Sequence, residues 1–104
     1  AKARSGLTRA PIMTTETLRA DEAIAVRLMQ AIRADAEADC APDALDLVSV
    51  TLDLSATAEA PEALVYTPRI DRKTRTILFT SGSAAGASGA VMTATVVYRI
   101  RPAG

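Results

Sequence analysis

Residues 48–57 read Val-Ser-Val-Thr-Leu-Asp-Leu-Ser-Ala-Thr. Apolar and polar side chains alternate along this stretch, which is the period of a β-strand with one buried face. The alternation therefore predicts a strand whose apolar side chains all lie on one side and need an apolar partner. Those apolar residues are Val48, Val50, Leu52, Leu54 and Ala56.

The segment before this strand has a different period and predicts a helix over residues 14–39. It contains no glycine or proline, is rich in alanine, and ends before Pro42. Thr14 or Thr15 can cap the N-terminus, and Glu16 then lies in the first turn, where the helix dipole favours an acidic residue. Apolar side chains recur every three or four residues and form one stripe. The stripe consists of Leu18, Ala25, Leu28, Met29, Ile32 and Ala36.

Three further strands are predicted after the first one. The second contains Pro68, which fits an edge strand or a bulge. A helix with one apolar stripe and a sheet with one apolar face predict a single α+β domain, in which the helix packs on an antiparallel meander. Residues 1–13 are expected to form a tail or a short first strand. The predicted later strands are residues 63–72, 74–81 and 91–101, with turns at residues 71–73 and 82–89.

The composition argues against several function classes. The 104 residues, one domain's length, include 12 basic and 12 acidic residues and only 3% aromatics, so nucleic-acid binding is not expected. The absence of histidine excludes a histidine-based triad and histidine metal ligands. Cys40 is the one cysteine, so an internal disulfide or a cysteine metal cluster cannot form. We expect no metal and no other cofactor.

No targeting or membrane-spanning segment is evident. Lys2, Arg4 and Arg9 are not followed by an apolar run, and no stretch approaches about 18 apolar residues. Together with the single cysteine, this predicts a soluble, cytoplasmic protein that does not bind a membrane. A net charge of zero favours self-association.

Four segments resemble, in their order and spacing, the acyl-CoA thioesterases of the hot-dog fold, and the phenylacetate-pathway type in particular. The resemblance covers about residues 14–101, most of the chain. It implies an antiparallel sheet that wraps a long central helix. The four segments are Asp21-Glu-Ala-Ile-Ala-Val26, Val48-Ser-Val-Thr-Leu-Asp-Leu-Ser55, Asp71-Arg-Lys-Thr-Arg-Thr-Ile-Leu-Phe79 and Gly89-Ala-Val-Met-Thr-Ala-Thr-Val-Val-Tyr-Arg-Ile100.

The resemblance also implies where a site would lie. It places the family's acidic catalytic residue at Asp21, which shares the helix face of the apolar stripe, with Glu22 on a neighbouring face as the alternative. A carboxylate there can act as base or nucleophile on a thioester. Asp21 also lies near the helix start, where the dipole favours acids, so a merely solvated carboxylate stays open. The basic turn would lie near the coenzyme A phosphates, and it supplies Arg72, Lys73 and Arg75.

The function implied by the resemblance is the hydrolysis of acyl-CoA thioesters. Two alternatives stay open: a protein of the same fold that binds acyl-CoA or a similar apolar ligand without hydrolysis, and a module that serves dimerisation only. The family's His-Gly-Gly turn before the helix is replaced by Pro11-Ile-Met-Thr-Thr15. The resemblance further implies a homodimer or a dimer of dimers, in which the edge strand at residues 48–56 pairs with its twin.

Overall fold

The computed structural model describes residues 17–55 and 60–103. Its architecture is α+β, with one helix packed on one face of a four-stranded antiparallel sheet, as the sequence predicts. A short 3-10 helix, Pro61–Ala63, stands between the first two strands. The elements are α1 (Ala20–Cys40), β1 (Ala44–Leu54), β2 (Val65–Lys73), β3 (Ile77–Gly86) and β4 (Gly89–Arg101).

The helix begins later than the sequence predicts, at Ala20 rather than at residue 14. The backbone amide of Arg19 donates to Oε1 of Glu22 at 2.8 Å. This contact closes the first turn as one half of a capping box, since an arginine side chain cannot accept a hydrogen bond in return. A run without glycine or proline permits a helix, whereas such a capping contact decides where it starts. The predicted caps at residues 14 and 15, and Glu16, lie outside the described residues.

The buried stripe of α1 differs in part from the predicted one. Leu28, Ile32 and Ala36 are buried as predicted, and Ile24 is buried although the predicted stripe omits it. Leu18 precedes the helix and is 51% exposed. Because the helix starts at Ala20, position 18 is no longer in phase with the stripe.

The sheet has the order β1-β4-β3-β2, and every neighbouring pair is antiparallel. The predicted meander is therefore wrong, since β1 pairs with β4 instead of β2. A strand that is apolar along its whole helix side gains most in the centre of the sheet, and β4 takes that place. Its alternating helix-side residues Met92, Ala94, Val96, Tyr98 and Ile100 are all buried, and Val91, outside that alternation, is buried as well.

Both predicted turns are largely strand. Residues 71–73 belong to β2, and the chain turns at residues 74–76 instead, where the amide of Ile77 donates to Oγ1 of Thr74 at 2.9 Å. The second turn is reduced to two residues between the paired Gly86 and Gly89. Gly89 has φ +115°, a conformation that glycine adopts readily. This part of β3 consists of small residues, and a composition typical of a loop is why the sequence predicts a turn there.

The helix does not fully cover the face of β1 that lies on its side of the sheet. Leu47, Leu52 and Leu54 pair with residues of β4 that are buried under the helix, so they share that face. They are nevertheless 56%, 42% and 54% exposed. A register shift between Leu47 and Ser49 takes Val48 out of the alternation in which the sequence placed it. An apolar trough therefore runs between α1 and β1.

Candidate functional site

The trough between α1 and β1 holds two cavities of similar size. The first, here called the acidic cavity, has a volume of about 400 Å³ and lies at the start of the helix. The second, the tyrosine cavity, has a volume of about 420 Å³ and lies further along the helix. Arg19, Asp21, Glu22, Ala25, Leu52, Leu54 and Met92 line the acidic cavity. Val26, Met29, Arg33, Leu45, Leu47 and Tyr98 line the tyrosine cavity.

Asp21 lies in the first helical turn and borders the acidic cavity. Arg19 donates to both of its carboxylate oxygens, Nε to Oδ1 at 3.2 Å and Nη2 to Oδ2 at 2.9 Å. The amide of Glu22 donates to Oδ1 at 2.8 Å. The hydrogen bond from Arg19 is the main cause that lowers the pKa of Asp21. The carboxylate is therefore ionised at neutral pH, and it meets both an apolar cavity and solvent.

Glu22 borders the same cavity but is engaged in the helix start. Its Oε1 accepts the amide of Arg19, so the side chain stabilises the first turn. Both acidic candidates therefore bind a first-turn amide, and Asp21 is the one that also holds Arg19 in an ion pair.

Replacing Arg19 by methionine is expected to raise the pKa of Asp21. The charged hydrogen bonds from Arg19 favour the ionised form, and their loss leaves a carboxylate that protonates at higher pH. Titration of the Asp21 carboxyl by carbon NMR measures the shift. Arg27→Met is the matched control, because it removes a helix arginine that does not contact Asp21. An unchanged Asp21 titration in Arg19→Met would contradict the ion pair.

The structure separates the residues of the predicted basic cluster. Lys73 lies on the helix side, where its Nζ is 3.2 Å from Oδ2 of Asp39, and this hydrogen bond raises the pKa of Lys73. Arg72 pairs with Phe79 on the opposite face of the sheet. Arg75 lies in the turn after β2, and nearby Arg69 is bound to Asp71 at 2.7 Å.

The basic residues and Asp21 do not meet within one chain. Asp39, the partner of Lys73, follows Asp21 by 18 residues on the same helix. At 1.5 Å per residue, that separation is about 27 Å along the axis. Asp21 and Lys73 therefore lie at opposite ends of α1.

The sequence reasoning missed the tyrosine cavity. Arg33 lies outside the predicted apolar stripe, and Tyr98 lies within the predicted strand at residues 91–101, so neither residue stands out in the sequence. The cavity exists because β1 lies beside β4 and is not covered by the helix, and alternation cannot reveal that neighbour relation. Cys40, also buried, has its pKa raised mainly by burial, so it is not a reactive thiolate.

Across residues 17–55 and 60–103, no group of three or more acidic or cysteine side chains is placed to hold a metal ion. No helix of the described chain combines the length and apolar character that crossing a membrane requires. No protein-family model matches this sequence, and a search of curated proteins finds no match.

Proposed function

We propose that the protein has a hot-dog fold and acts in the cytoplasm as an acyl-CoA thioesterase, with Asp21 as general base or nucleophile. The observation that carries the proposal is an ionised carboxylate that borders a cavity of about 400 Å³ beside the apolar side chains of Leu52, Leu54 and Met92. The apolar wall suits an acyl group, and an ionised carboxylate can activate water or attack the thioester carbonyl. One helix laid on an antiparallel sheet is compatible with that fold.

A protein that binds acyl thioesters without hydrolysing them is the second candidate. The contact that favours it is the ion pair of Arg19 with Asp21, at 2.9 Å. An arginine on both oxygens makes the carboxylate a weaker base, and the chain has no histidine to replace it.

The same proposal includes a homodimer, or a dimer of dimers, formed through β1. In the described chain β1 pairs on one side only, with β4. It contains no proline or lysine to discourage a further strand, and it is rich in exposed apolar side chains. Antiparallel pairing about a two-fold axis would bring the C-terminal end of the second helix toward Asp21.

Arg72, Lys73 and Arg75 are proposed to contact coenzyme A phosphates. In the proposed dimer, the end of the second copy that carries these three residues would lie toward the thioester site at Asp21. Arg75→Ala is expected to raise KM for octanoyl-CoA with little change in kcat, because the phosphates are remote from the reacting bond. Steady-state kinetics measures both constants, with Arg27→Ala as the control. A fall in kcat at constant KM would argue against phosphate binding.

Hydrolysis is tested with acetyl-, octanoyl- and palmitoyl-CoA, followed by chromatographic detection of free coenzyme A. The thioesterase proposal expects turnover of at least one of them. Thermal unfolding with and without each compound is measured in parallel, since a ligand of the native state raises Tm. A rise in Tm without turnover would support the binding protein. If none of the compounds is hydrolysed and none raises Tm, both candidates are overturned.

A further inference from the structure

The tyrosine cavity combines polar donors with apolar walls. Arg33 and Gln30 from the helix and Tyr98 from β4 supply donors, while Met29 and Leu47 supply apolar surface. Within residues 17–55 and 60–103, Arg33 forms no ion pair. The proposed hydrolysis at Asp21 uses none of these residues.

Arg33 from α1 and Tyr98 from β4 line the same cavity. Burial raises the pKa of Tyr98, and the positive charge of Arg33 opposes that rise, whereas Glu37 adds to it. Tyr98 is 5% exposed, so its ring forms part of the packed wall.

We propose that the tyrosine cavity binds a monocarboxylic acid with an apolar chain. Arg33 and the Tyr98 hydroxyl hold the carboxylate, and the chain lies against Met29 and Leu47. A guanidinium makes strong, charge-assisted hydrogen bonds to a carboxylate, and the phenol adds a further donor. A volume of about 420 Å³ is within the range of small-molecule sites.

Charge decides which of the two cavities takes the free acid. The acidic cavity carries the carboxylates of Asp21 and Glu22, and its guanidinium, that of Arg19, is already bound to Asp21, so another anion is repelled there. The tyrosine cavity carries the guanidinium of Arg33, which has no carboxylate bound to it in the described chain. Free acids are also products of thioester hydrolysis, but this site binds the acid whether or not the protein produces it.

Two methionines distinguish the cavities experimentally. With methyl-labelled methionine, octanoate is expected to shift the NMR signal of Met29, in the tyrosine cavity, and not that of Met92, in the acidic cavity. A shift of Met92 alone would place the acid beside Asp21 and overturn the inference. The absence of octanoate binding would also overturn the inference. A second copy of the chain that fills the cavity would give this result.

Calorimetry on variants tests the contact with the carboxylate. Arg33→Met is expected to weaken octanoate binding about tenfold or more, because a charged hydrogen bond is lost. Its binding of 1-octanol, which has the same chain without the charge, should not change. Arg27→Met is the matched control, and Glu37→Gln should bind octanoate more tightly because it removes a nearby negative charge. Equal octanoate binding by wild type and Arg33→Met would overturn the assignment.

Discussion

Asp21→Asn is expected to lower the turnover of acyl-CoA by about 10²- to 10⁴-fold, the usual cost of losing a general base. The amide has nearly the same shape as the carboxylate, but it can neither accept the proton nor attack the carbonyl. Its loss of charge also removes the ion pair with Arg19, which is exposed and contributes little to stability. The kcat of the best acyl-CoA substrate measures the effect, and circular dichroism checks the helix.

Two matched variants make this result specific. Asp53→Asn changes an exposed carboxylate of β1 whose partner in β4 is the exposed Thr93, away from the helix, and it should leave turnover unchanged. Glu22→Gln should largely preserve both the helix start and turnover, because its amide oxygen can still accept the Arg19 amide. If Glu22→Gln abolishes turnover while Asp21→Asn retains it, the catalytic carboxylate has been assigned to the wrong residue.

Leu28→Ala is expected to reduce the free energy of unfolding by about 2–5 kcal/mol. Leu28 is fully buried at the middle of α1, and its removal leaves a cavity between helix and sheet. Such a loss is a large share of the about 5–15 kcal/mol that stabilises an ordinary domain. Urea unfolding, followed by circular dichroism at several protein concentrations, measures it and separates any contribution from association.

Val65→Ala is the control for Leu28→Ala, because Val65 is an apolar strand residue that is 67% exposed. Its unfolding free energy should stay within about 0.5 kcal/mol of wild type. If Leu28→Ala were equally harmless, the packing of α1 on the sheet would be contradicted.

The sequence predicted which residues of a strand face the helix better than it predicted which strands lie side by side. In β4, Met92, Ala94, Val96, Tyr98 and Ile100 are buried as alternation indicates, since a period of two is a property of the strand itself, whereas Val91 is buried outside that alternation. The same alternation says nothing about which strand lies beside it, so the pairing of Val50 with Val96 could not be foreseen. The register shift at Val48 was equally hidden, because an extra residue in one strand leaves no mark on composition.

The site residues show the same contrast between what one element reveals and what depends on the packing of several elements. Asp21 was found because a carboxylate on an apolar helical stripe is visible in the sequence, and it does border a cavity. Arg33 and Tyr98 were not found, because the cavity that joins them depends on the position of β1 beside β4. The sequence predicts Lys73 in a turn. Its ion pair with Asp39 could not be predicted, because that contact depends on how the helix crosses the sheet.

The position of β4 between β1 and β3 also governs the order in which the chain can fold on a ribosome. β2 and β3 are adjacent in sequence and in the sheet, so this hairpin can form as soon as it emerges. β1 must wait, because its partner follows more than thirty residues later, and Ala44 pairs only with Arg101. During that interval the apolar side of β1 has no neighbouring strand. Slow, long-range strand pairing of this kind exposes a nascent chain to aggregation and makes it a candidate for chaperone binding.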